Sequence, residues 1–129
     1  MRILLTGATG FVGKFLQRKL NGHTLILTSR SDVLDSSSHF VKKIISSTED
    51  FSDCLVDVDV VIHTAARVHQ MNDLSQDPLA EFMETNCFGT LNLARQAANA
   101  GVKRFIFLSS IKVNGERSGL GDRFRFDDP

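Results

Sequence analysis

Apolar and polar positions follow two periods along this chain, and the switches between them mark out its elements. Residues 2–6, with Ile3-Leu4-Leu5 at the centre, form an apolar run that predicts a buried strand. From Phe11 the pattern becomes helical: positions 12, 15, 16, 19 and 20 share one face, and Asn21-Gly22 stops the helix. Residues 23–28 (HTLILT) predict a second strand, and 41–45 (VKKII) a short third one after a weakly patterned stretch. A helical piece follows at 51–55. Residues 58–63 (VDVVIH) are almost uniformly apolar, as a strand buried on both faces should be. Asp77-Pro78 then opens a long helix over about 79–100, whose apolar positions are Leu79, Phe82, Met83, Cys87, Leu91, Ala94 and Ala98. At 1.5 Å per residue such a helix runs about 30 Å, enough to cross a sheet. Ala100-Gly101 caps it, and 102–108 hold a fifth strand with its core at 104–108. Residues 115–129 (GERSGLGDRFRFDDP) are glycine-rich and charged, and read as a loop or frayed tail.

Strand and helix alternate throughout. The fold class is therefore α/β, a Rossmann-type doubly wound parallel sheet with helices on both faces, ending after about the fifth strand. No repeat or low-complexity segment interrupts it.

The stretch between the first strand and the first helix carries the chemistry. Gly7, Gly10 and Gly13 stand three apart in TGATGFVG, residues 6–13. Glycine permits a positive φ and removes the Cβ where a ligand must approach. The helix start leaves backbone N–H groups unpaired and adds the positive end of its dipole, so two linked phosphates fit without a lysine. Gly7 is assigned to the turn, Gly10 to close ligand approach and Gly13 to helix–strand packing. A P-loop fails at both ends: Ala8 stands where its first glycine belongs, and Phe15 where Ser or Thr belongs. A glycine-rich turn without a ligand is the plain alternative. The end of the second strand is where such folds read the adenosine ribose. It offers Arg30 with Asp32 two residues on, a mixed signal between NAD and NADP that a solvated loop charge also explains. Thr64-Ala65-Ala66 ends the fourth predicted strand, and its two small residues leave room for something flat.

Charge narrows the partners. Lys+Arg and Asp+Glu are both 15, so no basic surface is advertised and nucleic acid is not expected as a partner. No apolar run approaches the roughly 20 residues of a membrane span, and no signal peptide is visible, which makes the cytoplasm the expected compartment. Cys54 and Cys87 have no partner spacing and are expected to be buried small apolar residues. His23, His39, His63 and His69 lack metal-ligand spacing, so no metal site is expected. His63, at a strand end, reads as a packed polar residue, and His69 as closer to a functional role.

Four segments in order resemble the extended short-chain dehydrogenase/reductases, and within them the NAD-dependent sugar epimerase/dehydratases. They are TGATGFVG at 6–13, DVVIHTAA at 59–66, NCFGTLNLARQA at 86–97 and VKRFIFLSSIKVNG at 102–115. HTAARVHQMND and FLSSIKVNGE look most like bacterial sugar 4-epimerases of surface-polysaccharide pathways, which act on UDP-glucose or UDP-N-acetylglucosamine type substrates or on a lipid-linked sugar. The resemblance implies that Gly7, Gly10 and Gly13, with the backbone of Phe11 and Val12, hold the pyrophosphate of NAD. It implies that Arg30 lies by the adenosine ribose, with NADP as the alternative cofactor. It places Ala65 and Ala66 on the floor of the site with Arg67 after them. Asn86 supports the cofactor side, or is a satisfied core amide. Ser109 lies beside the nicotinamide, and Ser110 hydrogen-bonds the sugar hydroxyl undergoing oxidation. The implied reaction takes hydride from sugar C4, passes through a 4-keto sugar and returns hydride to the other face.

The family's base, a tyrosine with a lysine four residues later, is not in these 129 residues, which contain no tyrosine at all. The expected organisation is a dinucleotide-binding domain at 1–114 and a tail at 115–129 leading to a missing catalytic helix and substrate domain, so that the chain alone is inactive. Asn114 stands where the family commonly has tyrosine, and Ser46 or Ser47 replaces an acidic residue that often touches adenine. Two further readings stay open: a stand-alone NAD(P)-binding sensor, and an NADP-dependent reductase of the same superfamily. A homodimer through the 79–100 helix is the expected assembly if covering the sheet does not already account for its stripe.

Overall fold

The structure is a computed structural model that describes residues 1–33, 40–68 and 77–110, together with 113, 121, 124 and 125. His39, His69, Asn114 and most of the 115–129 tail lie outside the described residues. Five parallel strands form one sheet: β1 (Arg2–Thr6), β2 (Thr24–Ser29), β3 (Phe40–Lys42), β4 (Val60–His63) and β5 (Arg104–Phe107). Their order is β3-β2-β1-β4-β5, so the chain steps outward from β1 in one direction and then restarts on its other side. Leu4 stands in register with Ile26 on one neighbour and Val61 on the other, and Ile62 pairs with Ile106.

The two faces of the sheet carry two cores. Leu4, Ile26 and Val61 pack with Leu93 and Ala97 of α3 (Thr90–Asn99) and with Phe51, Cys54 and Leu55 around a short 3-10 turn, Ser52–Cys54. Leu5, Leu27 and Ile62 face the other way, towards Leu16 of α1 (Phe11–Lys19). This alternation is what a strand buried on both sides requires. Burying a side chain such as Leu93 contributes about 2 kcal/mol against leaving it exposed.

Several boundaries move. The third strand ends at Lys42 rather than at 45, because Ser29 supplies its last rung to the Lys43 amide and the chain then turns. The fourth begins at Val60; before it, the Asp59 carboxylate accepts the Arg2 N–H at 2.9 Å and Lys103 Nζ at 2.7 Å. The long helix starts as expected, with Pro78 in the first turn of α2 (Pro78–Phe82) and Asp77 accepting the Ala80 N–H at 3.0 Å. It is not a uniform α-helix, however. Met83–Gly89 form a π-helical segment, and α3 follows.

That segment overturns the expected stripe. The buried positions are Gly89, Leu93 and Ala97. Leu79 (71% exposed), Met83 (40%), Cys87 and Leu91 (44%) point outward. A π turn holds more residues than an α turn, so counting at a constant 100° per residue loses phase across 83–89. Cys87 is thus an exposed thiol. Cys54 is buried as expected, donates from Sγ to the Phe51 carbonyl, and has its pKa pushed up by burial to about 12.

The inner face of α3 also carries amides that hold a loop. Asn92 Nδ2 donates to the carbonyls of Ser46 (3.0 Å) and Glu49 (2.9 Å). Gln96 donates to Glu49 O at 2.8 Å and accepts the Phe51 N–H at 2.8 Å. The segment after β3 is thereby fixed at the C-terminal edge of the sheet. β5 forms the opposite edge, with Phe107 half exposed.

Candidate functional site

Gly7 has φ +68°, and a Cβ there would lie 2.7 Å from the Ala65 nitrogen and 2.8 Å from Thr64 Oγ1. No other residue fits that turn. A Cβ on Gly13 would overlap the Gly7 carbonyl and come within 2.8 Å of Ala8 Cα, so the helix rests directly on the strand exit. Gly10 differs: its Cβ would meet only the Gly7 carbonyl, at 3.2 Å. That contact is tight but far less severe than those at Gly7 and Gly13, and Gly10 also lines the cavity beside the turn. Gly10 caps α1 in an extended conformation without a side-chain hydrogen bond, and no acidic residue occupies the first turn. The first intrahelical donor is the Lys14 N–H, on the Gly10 carbonyl at 2.9 Å. The amides of Phe11, Val12 and Gly13 come before it, where a helix offers its free N–H groups and positive dipole end.

Beside this turn a cavity of about 420 Å³ opens where β1 and β4 part. Ligands gather at this crevice in open α/β sheets, because the loops on its two sides lead to opposite faces. Gly7, Thr9 and Gly10 form one wall, and Thr64, Ala65 and Ala66 the floor. Arg30, Ile44 and Ile45 close one end, and Arg67, Val68, Glu81 and Thr85 the other.

The two cationic ends are built differently. Arg30 is exposed at the end of β2. Asp32 is drawn away from it into a 2.9 Å ion pair with Lys42, whose hydrogen bond holds the Asp32 carboxyl below the usual range. Arg67 is fixed through its backbone: its N–H donates to Asn86 Oδ1 at 2.7 Å, and its carbonyl accepts Asn86 Nδ2 at 2.9 Å. Its guanidinium lies 3.6 Å from Glu81 Oε2 and 5.7 Å from the Phe82 ring centroid.

Under the floor lies a buried polar chain. The Ala65 N–H donates to Thr6 Oγ1 at 3.3 Å, and Thr6 Oγ1 lies 2.6 Å from His63 Nδ1. His63 Nε2 lies 2.9 Å from Thr90 Oγ1, and Thr64 Oγ1 donates to the Thr6 carbonyl at 2.7 Å. The imidazole is stacked on Phe107, with centroids 5.7 Å apart. Burial lowers its pKa to about 4.

Of the residues singled out from sequence, Gly7, Gly10, Arg30, Ala65, Ala66 and Arg67 line the cavity together. Phe11, Val12 and Gly13 follow the wall into α1. Asn86 stands behind Arg67. Ser109 and Ser110 are exposed beyond β5 and outside the cavity lining; the Ser110 carbonyl accepts the Val113 N–H at 3.1 Å. Ser46 and Ser47 do not line the cavity. Ile44 and Ile45 stand there instead, while Ser46 Oγ caps the Glu49 amide and the Ser47 amide binds Glu84. Thr9, Val68, Glu81 and Thr85 were not singled out from sequence; Thr9, inside the glycine motif, was the one within reach of it, while Thr64 had been named only as part of the strand end.

Among the described residues no group of three or more His, Cys, Asp or Glu could hold a metal ion, and no helix is long and apolar enough to cross a membrane.

The sequence matches the NAD dependent epimerase/dehydratase family over residues 3–125. It is 44% identical over 137 residues to a UDP-glucose 4-epimerase of Vibrio cholerae, covering 98% of this chain and 40% of that one. It is 33% identical over 144 residues to the low-salt glycan biosynthesis protein Agl12 of Haloferax volcanii, covering all of this chain and 45% of that one. The structure superposes on MoeE5 in complex with UDP-glucuronic acid and NAD with a TM-score of 0.77 at 28% identity, over 93% of this chain and 40% of that one. The chain thus spans less than half the length of these relatives.

Proposed function

This chain belongs to the NAD dependent epimerase/dehydratase family, and from that premise we propose that it forms the cofactor-binding half of an NAD-dependent sugar-nucleotide epimerase. The observation that carries the reading is the cavity at the parting of β1 and β4, walled by a turn whose Gly7 leaves no space for a side chain. Gly7, Gly10 and the amides of Phe11, Val12 and Gly13 take the pyrophosphate. Arg30 takes the adenosine ribose, and Ala65 and Ala66 pass beneath the cofactor. Asn86 acts through Arg67, whose backbone it holds at both polar atoms. Ser109 faces the nicotinamide, and Ser110 hydrogen-bonds the sugar hydroxyl. Bound NAD supplies a hydride acceptor that later returns the hydride. The chain's own part is to bind, orient and shield.

The substrate class is a UDP-sugar, epimerised at C4 through a 4-keto form. It is supported by the V. cholerae relative and by the UDP-sugar held by MoeE5. A role in surface polysaccharide synthesis and a cytoplasmic site of action go with that substrate. A proton acceptor for the sugar hydroxyl is not supplied by these residues, since the sequence has no tyrosine. The 129-residue chain therefore binds dinucleotide and turns nothing over. The outward stripe of Met83 and Leu91 supports a homodimer through residues 79–100.

Calorimetric titration with NAD tests the cofactor reading, and absence of binding would end it. Incubating the chain with NAD and UDP-glucose or UDP-N-acetylglucosamine, followed by NMR, tests the rest. Epimerised product from this chain alone would sink the claim that the base lies outside it.

A second reading, an NADP-dependent reductase of the same superfamily, is favoured by the ion pair that removes Asp32 from Arg30. It predicts tighter binding of NADP than of NAD and loss of that preference in Arg30→Ala. An unchanged preference in the variant excludes it.

A further inference from the structure

The function proposed above gives His63 no role, although its ring nitrogens are held from both sides and its side chain is fully buried. We infer that His63 is a positioning residue for the dinucleotide floor: it fixes the Thr6 hydroxyl, and through it the Ala65 amide against which Gly7 rests. The inference relies on the cavity being the cofactor site.

The direction of each hydrogen bond follows from elimination. The Ala65 N–H is a donor only, so Thr6 Oγ1 accepts from it. Thr6 is wholly buried, and its own hydroxyl proton needs an acceptor. His63 Nδ1, 2.6 Å away, is the acceptor in place. Nδ1 is therefore bare, Nε2 carries the proton, and Nε2 donates to Thr90 Oγ1 at 2.9 Å. The opposite tautomer would leave the Thr6 proton without an acceptor in the core. The chosen one leaves only the Thr90 proton, which lies at a half-buried position and not in the core. The hydrogen bonds thus run one way from the floor to Thr6 and into the imidazole.

The floor depends on this direction. The gap between Gly7 and the Ala65 amide has no room for a Cβ, so the ends of β1 and β4 must keep a fixed spacing for the turn to exist. The Thr6 hydroxyl bridges those two strand ends, and His63 is the group that orients it. An apolar ring of the same size could fill the space beside Phe107 but could not hold the Thr6 hydroxyl in that orientation.

The test is calorimetric titration of NAD into the wild-type chain and its variants, below the temperature at which each begins to unfold by circular dichroism. Thr6→Val keeps the shape and removes the hydroxyl; about tenfold weaker binding is expected, in line with one lost hydrogen bond. Thr6→Ser restores the hydroxyl and should bind within about threefold of wild type. His63→Leu should match Thr6→Val, whereas His63→Asn, whose Oδ1 can stand near the Nδ1 position, should recover most of the affinity. The Thr6→Val/His63→Leu double variant should bind no more weakly than either single, because both break one chain. Imidazole ¹⁵N shifts of the wild type should report the Nε2–H tautomer. Wild-type affinity in folded Thr6→Val, or an Nδ1–H tautomer, overturns the inference. If His63→Leu does not fold, the Thr6 pair decides. A wild-type chain that binds no NAD removes the cofactor reading and this inference together. A wild type that binds while Thr6→Val binds equally well removes this inference alone.

Discussion

The buried imidazole of His63 makes stability depend on pH within a defined window. Burial lowers its pKa from 6.5 to about 4, so the folded chain keeps it neutral where an unfolded chain would protonate it. Between those two values the unfolded state binds more protons. Stability is therefore full above pH 6.5 and falls as pH drops towards 4, with a slope approaching 1.4 kcal/mol per pH unit. The distance between those two values corresponds to a total of about 3 kcal/mol. The side chains around the ring are Thr6, Thr90, Phe105 and Phe107, none of which titrates in this window. Asp32, Asp59 and Glu84, each held below its usual range by a hydrogen-bond partner, lose their contributions at still lower pH. The assay is urea denaturation at half-unit steps from pH 7.5 to 4.5, followed by far-UV circular dichroism, since the sequence has neither tryptophan nor tyrosine. His63→Asn is the reference, because it removes the titrating group and leaves the carboxylates in place. Wild-type stability should fall relative to this variant by about 1.6 kcal/mol between pH 6.5 and 5. Parallel curves over that interval would refute the assignment of the slope to His63.

Further outcomes follow from the same geometry. Gly10→Ala should lower the melting temperature modestly, since its Cβ presses on the Gly7 carbonyl at 3.2 Å, and should bind NAD more weakly because Gly10 lines the cavity, whereas Gly13→Ala should be strongly destabilised by overlap with the same carbonyl; thermal melts paired with NAD titration separate the two. Leu93→Ala should cost about 3 kcal/mol in urea denaturation, as a fully buried leucine on the sheet-facing side of α3. Asn86→Asp replaces a donor by a carboxylate oxygen facing the Arg67 carbonyl. Dinucleotide affinity should fall more than tenfold, a loss of over 1.4 kcal/mol, and recover partly at acidic pH; equal affinity at pH 7 would show that the Arg67 backbone needs no such support.

The parts of this structure that sequence made legible are those decided locally. β1 and β4 are uninterrupted apolar runs, and the glycine spacing belongs to a single turn, so neither needs information from elsewhere in the chain. Asp77-Pro78 and Gly101 punctuate a helix by their own backbone preferences. The end of the cavity closed by Ile44 and Ile45 was illegible for the opposite reason. Ile44 and Ile45 reach it because Asn92 and Gln96 bind the carbonyls beyond them from over 40 residues away. A pattern of apolar positions assigns those two amides to the solvent side and gives no weight to their reach. The inward face of the long helix was misplaced by a change of period within the helix. His63 resembled a core residue in sequence, and only its partners on either side reveal its direction.

The π-helical segment has a consequence for chain length. Between α2 and α3 the relation of the two helical faces is set by one residue beyond what an α-helix would use over Met83–Gly89. Deleting a single residue there lets the turn close into regular α geometry, and because the π turn had absorbed that residue, α2 and α3 keep roughly the same facing. Leu93 and Ala97 would still meet the sheet, provided that Asn86, which holds the Arg67 backbone, is not the residue removed. The same deletion inside α3 would rotate everything on one side of it by about 100° and swing Ala97 off the sheet. Tolerance to a change of one residue in length is therefore concentrated within 83–89 of the long helix, and a library that varies length should keep count in α3.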